Sequence, residues 1–296
     1  MPELPLVQIG ETTPRPHAGL DWPARLALLR EWFARHARVV IAYSGGVDSS
    51  VLLRVAHEVL GERAIGVIGR SDSYAAHELA LALEQAACFG ARVEVVTTGE
   101  LADPNFRSNP TDRCYHCKSE LYRELTVLAG KLEADVIVDG TILDDLGDWR
   151  PGRRAADERE VASPLAELGF DKRDVRAVAA HYRLASTDKP ASPCLASRIP
   201  YGTEITRENL SMVERGEALI RALGFAECRV RHQGDAARIE LPLGELARTL
   251  DPTLRQQLVE GLREVGYRFV TIDLEGFRSG SLNRGIRAPS GSPGTG

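Results

Sequence analysis

The sequence of 296 residues has no apolar run of the length that crosses a bilayer. Its first residues, MPELPLVQIGETTPRP, lack the basic and then apolar layout of a secretory signal. No membrane association is expected, and a cytoplasmic location is the default expectation. Positive charge is also scarce: 37 Lys and Arg stand against 42 Asp and Glu, a net charge of −5 with a pI near 5.9. A broad nucleic-acid-binding face is therefore not indicated, although a local basic patch is not excluded. Cysteines number only five, Cys88, Cys114, Cys117, Cys194 and Cys228, which is no disulfide framework for a chain this long. In a reducing compartment such spaced thiols point to metal or redox chemistry. No internal repeat is evident. What is present is ordinary for a globular protein, 43% hydrophobic and 27% charged residues, in a chain long enough for one large domain or two ordinary ones with a real core.

Pro-rich residues 1–20 read as a poorly ordered arm. Asp21 is placed to cap a helix with Pro23 in its first turn, running through Leu26, Leu29 and Phe33. Apolar strands are then expected at 39–43, 64–68, 92–97 and 135–139, with helices at about 48–60 and 73–89 and another containing 121–132. That alternation predicts an α/β fold, a doubly wound parallel sheet with helices on both faces, over residues 21–185. After about residue 186 the character changes. A Pro-rich connection over 186–206 precedes a helix at 207–223, β-type runs at 228–232 and 237–241, a helix at 252–265 and a last strand at 268–274. This predicts a smaller α+β C-terminal domain within 186–278. The Gly-, Ser- and Pro-rich tail, 279–296, is expected to be disordered.

The most informative stretch is Ser44-Gly45-Gly46-Val47-Asp48-Ser49, lying between the apolar runs 39–43 and 51–53. It reads as strand, tight glycine turn and helix start. The glycines let the backbone turn sharply and approach a ligand closely, and the free N–H groups of the following helix point at an anion. Ser44 and Ser49 add hydroxyls. Asp48 suits an anion site only with a cation between them, as in a magnesium-bound pyrophosphate. Neither the Walker pattern nor the dinucleotide fingerprint is present. The loop instead resembles the signature of the PP-loop ATP pyrophosphatases, also described as adenine nucleotide alpha hydrolase-like.

Further along, Arg113-Cys114-Tyr115-His116-Cys117-Lys118 spaces two thiols so that they can share a metal centre or form a redox pair. Cys194 is the one further cysteine in a comparably marked setting, between Pro193 and Pro200 and four residues before Arg198. Three thiolates with an open position suit a 4Fe–4S cluster, whereas two unrelated structural cysteines are the plain alternative. Cys88 and Cys228 read as small buried groups. Arg198 is placed either to lower the Cys194 pKa or to grip a carboxylate or phosphate. Asp139-Gly140-Thr141-Ile142-Leu143-Asp144-Asp145 follows the fourth strand, so that Gly140 and Thr141 would lie beside a nucleotide and Asp144 or Asp145 would help hold Mg2+. Arg150 is placed to read an anionic substrate. Arg229 and Arg231 share one face of a strand, and Arg238 on the next run would complete an anion pocket.

Taken in order, SGGVDSS, RCYHCK, DGTILDD, WRPG, SPL at 163–165, DKPASPCLASRIPYGTEIT and RVRHQGDAARIE resemble the LarE sulfur transferases, over roughly residues 20–275. One departure is Ile142, where that family commonly has Asn. The resemblance implies ATP-dependent adenylylation of the carboxylates of pyridinium-3,5-biscarboxylic acid mononucleotide, followed by displacement of AMP by sulfur to give thiocarboxylates. It implies ATP and Mg2+ bound by Ser44, Gly45, Gly46, Asp48, Ser49, Gly140, Thr141 and Asp145. Substrate would be bound by Arg150, Arg198, Arg229 and Arg231. Cys194 would be catalytic, and with Cys114 and Cys117 would ligate a 4Fe–4S cluster carrying the transferable sulfide. In the alternative route of the same family Cys194 gives up its own sulfur. A sulfur donor system and a homo-oligomer are further implied. The rival readings are a PP-loop tRNA thiolase, a PP-loop amidotransferase or NAD synthetase-like ligase, and a non-enzymatic iron–sulfur or nucleotide sensor.

Overall fold

A computed structural model describes residues 17–147, 151–190 and 192–278. The expected tail at 279–296 and all of the expected arm except residues 17–20 lie outside the described residues, as does Arg150. The first helix, α1 (Trp22–Ala34), starts as its residues dictate: Asp21 accepts a hydrogen bond from the Ala24 amide at 3.1 Å and Pro23 sits in the first turn. It is followed by β1 (Val39–Ala42), α2 (Val47–Leu60), β2 (Ala64–Arg70), α3 (Ala76–Cys88), β3 (Arg92–Thr97), the short α4 (Pro104–Arg107), α5 (Arg113–Leu132) and β4 (Val136–Val138). The strands form an all-parallel sheet in the order β3-β2-β1-β4. Ala162 adds a parallel bridge to Val138 at the β4 edge.

Alternation along the strands explains why both faces are covered. Val39 and Ile41 of β1 point into a core shared with Leu26, Leu29, Val51, Leu52 and Val55 of α1 and α2. Val40, with Ile65 and Val67 of β2, points the other way, onto Tyr122, Leu125 and Ala129 of α5. Three more helices finish this unit: α6 (Pro151–Asp157), α7 (Pro164–Glu167) and α8 (Lys172–His181). The sequence reading did not resolve them, because two are shorter than the helical period needs to show itself. They pack Ala155 and Ala156 on one face, and Leu165, Val175, Val178 and Ala179 on the other.

One boundary differs in a way that matters. Periodicity marks this helix only over 121–132, but α5 begins at Arg113 and carries Cys114 and Cys117 in its first turns. Cys, Tyr and His are middling helix formers, so the apolar stripe is legible only from Leu121 onward. The i, i+3 spacing sets the two thiols on one helix face.

Beyond residue 206 come α9 (Arg207–Ala222), the antiparallel pair β5 (Arg229–Gln233) and β6 (Ala236–Glu240), α10 (Pro252–Val265), and β7 (Phe269–Ile272), which returns parallel to β6. Val230, Ala237 and Ile239 pack against Ile220, Leu258 and Leu262 as a separate core. A further apolar cluster joins the two parts: Ala75 and Phe106 meet Leu195, Ala196, Ile199, Ile205, Leu210 and Val213. Among the described residues no helix is long and apolar enough to cross a membrane.

The turn after β1 depends on Gly45. Its φ is +68°, and a Cβ there would come within 2.6 Å of the Ala82 Cβ. Gly45→Ala therefore combines left-handed strain with a clash and is expected to cost roughly 2–4 kcal/mol. Thermal unfolding of the purified variant checks this: a drop of several degrees is expected, and a midpoint within about 1 °C of the parent contradicts it.

Candidate functional site

The glycine loop leaves β1 at its C-terminal end, where ligands of parallel sheets sit. Tyr43 N still bonds Val67 O at 2.9 Å; the chain then turns at Gly45, and Gly46 caps α2. Hydroxyls hold the turn from inside. Ser49 Oγ donates to Gly46 O at 3.1 Å and accepts from Ser44 N at 3.2 Å, and Ser50 Oγ donates to Gly46 O at 2.7 Å. From outside, Tyr74 Oη donates to Ser44 O at 3.0 Å. A preformed turn thus aims the N-terminus of a 14-residue helix at the sheet edge. Gly140 packs directly on it, since a Cβ there would lie 3.0 Å from Ser49 N. Thr141 is fixed by Asp139, which accepts its amide at 3.1 Å and its hydroxyl at 3.0 Å.

The acidic residues expected beside magnesium have other attachments. Asp145 accepts from Ile142 N at 3.1 Å, capping the turn it sits in, and Asp144 accepts from Lys172 N at 2.8 Å. Asp48 meets a cation that the sequence reading missed: Lys172 Nζ lies 2.8 Å from both of its oxygens. Asp171-Lys172 marks a helix start, a capping residue followed by the first helical residue, but nothing local marks the partner of the lysine. An ion pair this exposed adds little stability. Its consequence is to place an ammonium group at the mouth of the glycine loop.

The buried Asp139, next to the Gly140 that packs on that loop, ties the Thr141 turn to the cysteine helix. Beyond Thr141 it accepts from Tyr122 Oη of α5 at 2.9 Å and from Ser163 Oγ at 2.8 Å, with Lys118 Nζ 4.0 Å away. Cys194 caps a short 3-10 turn, Leu195–Arg198, and the next amide, Leu195 N, donates to Ser73 O at 2.8 Å. Cys117 and Cys194 both pack against the cluster that joins the two parts of the molecule. The thiols of the two distant segments lie within each other's electrostatic field. Burial and then Cys194 push the Cys114 thiol up; burial, then Glu100, Cys194 and Cys114 push Cys117 well above the usual range. Among the described residues, however, no three His, Cys, Asp or Glu side chains are gathered round a point as ligands of one metal ion. Of the other cysteines, Cys228 is buried and its thiol is pushed up to about 12, chiefly by burial. Cys88, expected inside, is exposed at the end of α3.

The arginines gather on the C-terminal side, but two are occupied with internal carboxylates. Arg198 holds Glu217 through contacts of 2.8 and 3.2 Å and reaches the carbonyls of Pro193 and Cys194 at 2.5 and 3.2 Å. Arg231 holds Glu240 at 2.9 and 2.8 Å and Ser197 O at 2.7 Å. Both are thus tied to the segment carrying Cys194. Arg229 lies over the Phe277 ring at 4.4 Å, and its pKa is drawn down to about 10, first by burial and then by Arg198 and Arg231. With His77, Lys189 and Arg221, Arg198 and Arg229 line a cavity of about 240 Å3. Arg238 pairs with Glu240 and Asp273, outside that cavity.

No family model matches the chain. It is 45% identical over 261 residues, 88% of the chain and 97% of the relative, to an uncharacterized protein of Synechocystis. It is 38% identical over 247 residues, 83% of the chain and 89% of the relative, to the pyridinium-3,5-bisthiocarboxylic acid mononucleotide synthase of Lactiplantibacillus plantarum. A more distant relative, 27% identical over 79% of the chain and 80% of its own length, is the tRNA-specific 2-thiouridylase of Acidiphilium cryptum.

The connection leading to Cys194 is tethered to α3 by Glu78, which lies 2.5 Å from Lys189 Nζ. Burial raises the Glu78 pKa, but hydrogen bonds from His77, Lys189 and Ser192 outweigh it and bring it to about 2. A depressed carboxylate stabilises the fold fully above its unfolded value, about 4.3, and the contribution is lost as pH falls towards 2. Glu78→Gln is therefore expected to be less stable by about 1–3 kcal/mol at neutral pH, with the difference closing in acid. Urea unfolding of both proteins across that range checks the sign, and a difference that widens on acidification contradicts it.

Proposed function

The chain belongs to the family of the pyridinium-3,5-bisthiocarboxylic acid mononucleotide synthases, the LarE sulfur transferases, and from that premise we propose that it uses ATP to turn the carboxylates of pyridinium-3,5-biscarboxylic acid mononucleotide into thiocarboxylates. The observation that carries this reading is that Cys117, one helical turn from Cys114, and Cys194 pack against the same apolar cluster, with the cysteine helix bonded through Tyr122 to Asp139, the residue before the Gly140 that packs on the glycine loop. An ordinary nucleotide-binding ligase has no use for that grouping.

In this reading the ATP phosphates lie on the α2 N-terminus, where unpaired N–H groups, Ser44, Ser49 and the Lys172 ammonium face them. Asp48, with Asp145 or Asp144 behind it, would hold Mg2+, which supplies charge neutralisation to the phosphates. Gly140 and Thr141 form the wall of the nucleotide site. A substrate carboxylate oxygen attacks the α-phosphorus, the bond to the β-phosphate oxygen breaks, and pyrophosphate leaves. A carboxylate resists nucleophiles because its leaving group would be oxide; as an acyl adenylate it has a good one. Sulfur then forms a bond to the acyl carbon, and the carbon–oxygen bond to AMP breaks. Two rounds complete the product. The cavity between α3 and β5 suits the anionic substrate, with Arg198 and Arg229 in its lining and Arg231 beside them on β5. Arg150 joins them by resemblance alone.

Three thiols would suit a 4Fe–4S cluster by their chemistry, since each thiolate of such a cluster binds a different iron. When bound through Cys114, Cys117 and Cys194, the cluster would leave one iron without a protein ligand, to hold the transferable sulfide. Arg113 and Lys118, which lower the Cys114 pKa against burial, favour the thiolate that ligation requires. A sulfur donor must then reload the site. Residues 21–185 would form the ATP unit and 186–278 the unit that presents Cys194, binds substrate and supports a homo-oligomer.

Anaerobic incubation of the reconstituted protein with ATP and the dicarboxylate tests the proposal. Substrate-dependent pyrophosphate and AMP release is expected, with a mass gain corresponding to oxygen replaced by sulfur. Cys194→Ala is expected to lose the thiocarboxylate and keep pyrophosphate release. No pyrophosphate on adding substrate would refute the reaction. An iron-free protein that still makes product while Cys194 loses its sulfur would replace the cluster with the sacrificial route.

A further inference from the structure

Among the groups that hold the segment carrying Cys194, one buried side chain bonds both that segment and the start of α5. Asn109 is fully buried with φ +54°, a left-handed conformation that Asn tolerates and most residues do not. Its Nδ2 faces three carbonyls of the Cys194 segment: Pro200 O at 2.7 Å, Thr203 O at 3.1 Å and Ile199 O at 3.3 Å. Its own carbonyl accepts from Gly202 N at 3.0 Å. Its Oδ1 accepts from Arg113 Nη1 at 2.6 Å. Arg113 is the residue directly before Cys114. It is itself buried and lies over the Tyr201 ring at 4.7 Å. A single amide therefore touches the first turn of the cysteine helix through one atom and the chain just beyond Cys194 through the other. The opposite flank is pinned by the bond from Leu195 N to Ser73 O.

We propose that Asn109 is the positioning residue that sets Cys194 against the Cys114–Cys117 pair. The role needs an acceptor and two donors on one short side chain at a left-handed backbone position, and Asn alone supplies all of these. Asp keeps the bond to Arg113 and the backbone but loses both N–H groups. Gly keeps the backbone and loses the side chain. The inference rests on the sulfur-transfer reading for its meaning, but its test reads thiol geometry directly.

Dibromobimane, which bridges two thiols a few ångströms apart, is the probe. It is applied to the reduced full-length protein at alkaline pH, because the thiolate is the reacting form, and bridged peptides are identified by mass spectrometry. The parent protein is expected to give bridges from Cys194 to Cys114 or Cys117, besides the Cys114–Cys117 bridge within α5. In Asn109→Asp and in Asn109→Gly, bridges to Cys194 are expected to fall by roughly tenfold, equivalent to about 1.4 kcal/mol, while the Cys114–Cys117 bridge persists. Thiocarboxylate formation should fall in parallel, with the KM for ATP in pyrophosphate release unchanged. Undiminished bridging to Cys194 in whichever variant keeps a cooperative thermal transition overturns the assignment. If the parent protein itself never bridges Cys194, the three-thiol convergence fails, and with it the cluster reading rather than this residue's role alone.

Discussion

A loop that crosses between two packed units must satisfy its backbone polar groups without a ladder of its own. That constraint shapes the centre of this molecule. The chain from Pro193 to Ile205 is held by carbonyl and amide contacts from four directions: Ser73 after β2, Arg107 and Asn109 after α4, Arg198 from within, and Arg231 on β5. Each contact ties Cys194 to a different element of the fold. The apolar cluster beneath it, with Leu195, Ala196 and Ile199 buried against Phe106, closes the same joint. The position of one sulfur is thereby fixed by groups spread over most of the sequence.

Two buried ion pairs belong to this arrangement. Arg198–Glu217 and Arg231–Glu240 are almost wholly removed from water. Such pairs gain little over a well-packed apolar core, but losing one partner strands a charge at a cost of about 3–5 kcal/mol. Both arginines also touch carbonyls of residues 193–197. Their carboxylates therefore aim the guanidinium groups at the Cys194 segment, and the positive field left over is felt at Arg229, whose proton is loosened by burial and by these two neighbours.

At the other end, the glycine loop is rigid before any ligand arrives. Its serines bond inward to Gly46 O, Tyr74 braces it from outside, and Gly140 seals its flank. Preorganisation of this kind removes ordering costs from binding. Beside Gly140, Asp139 bonds Tyr122 of α5, so that the glycine loop, the turn after β4 and the cysteine helix meet through one packing contact and one buried hydrogen bond.

Local pattern was enough for much of this. Strand 92–97 and helix 252–265 fall where their periodicity places them, and the Ser-Gly-Gly turn between a buried strand and a helix is legible because few residues other than glycine allow that turn. Marked cysteines likewise announced themselves by spacing. Sequence did not reveal that Cys114 and Cys117 ride on a helix, since its first turn lacks an apolar stripe, nor that Cys88 faces outward. It gave no sign that Lys172 meets Asp48 across 124 positions, or that Glu217 and Glu240 occupy the arginines read as substrate ligands. Asn109 was silent as well, an isolated polar residue with no motif around it. Periodicity and turn chemistry act between neighbours and so can be read along the chain. Charge pairing and the satisfaction of buried polar groups act between residues that only the folded chain brings together, so the tertiary structure alone decided which carboxylates hold Arg198 and Arg231 and where the third thiol stands.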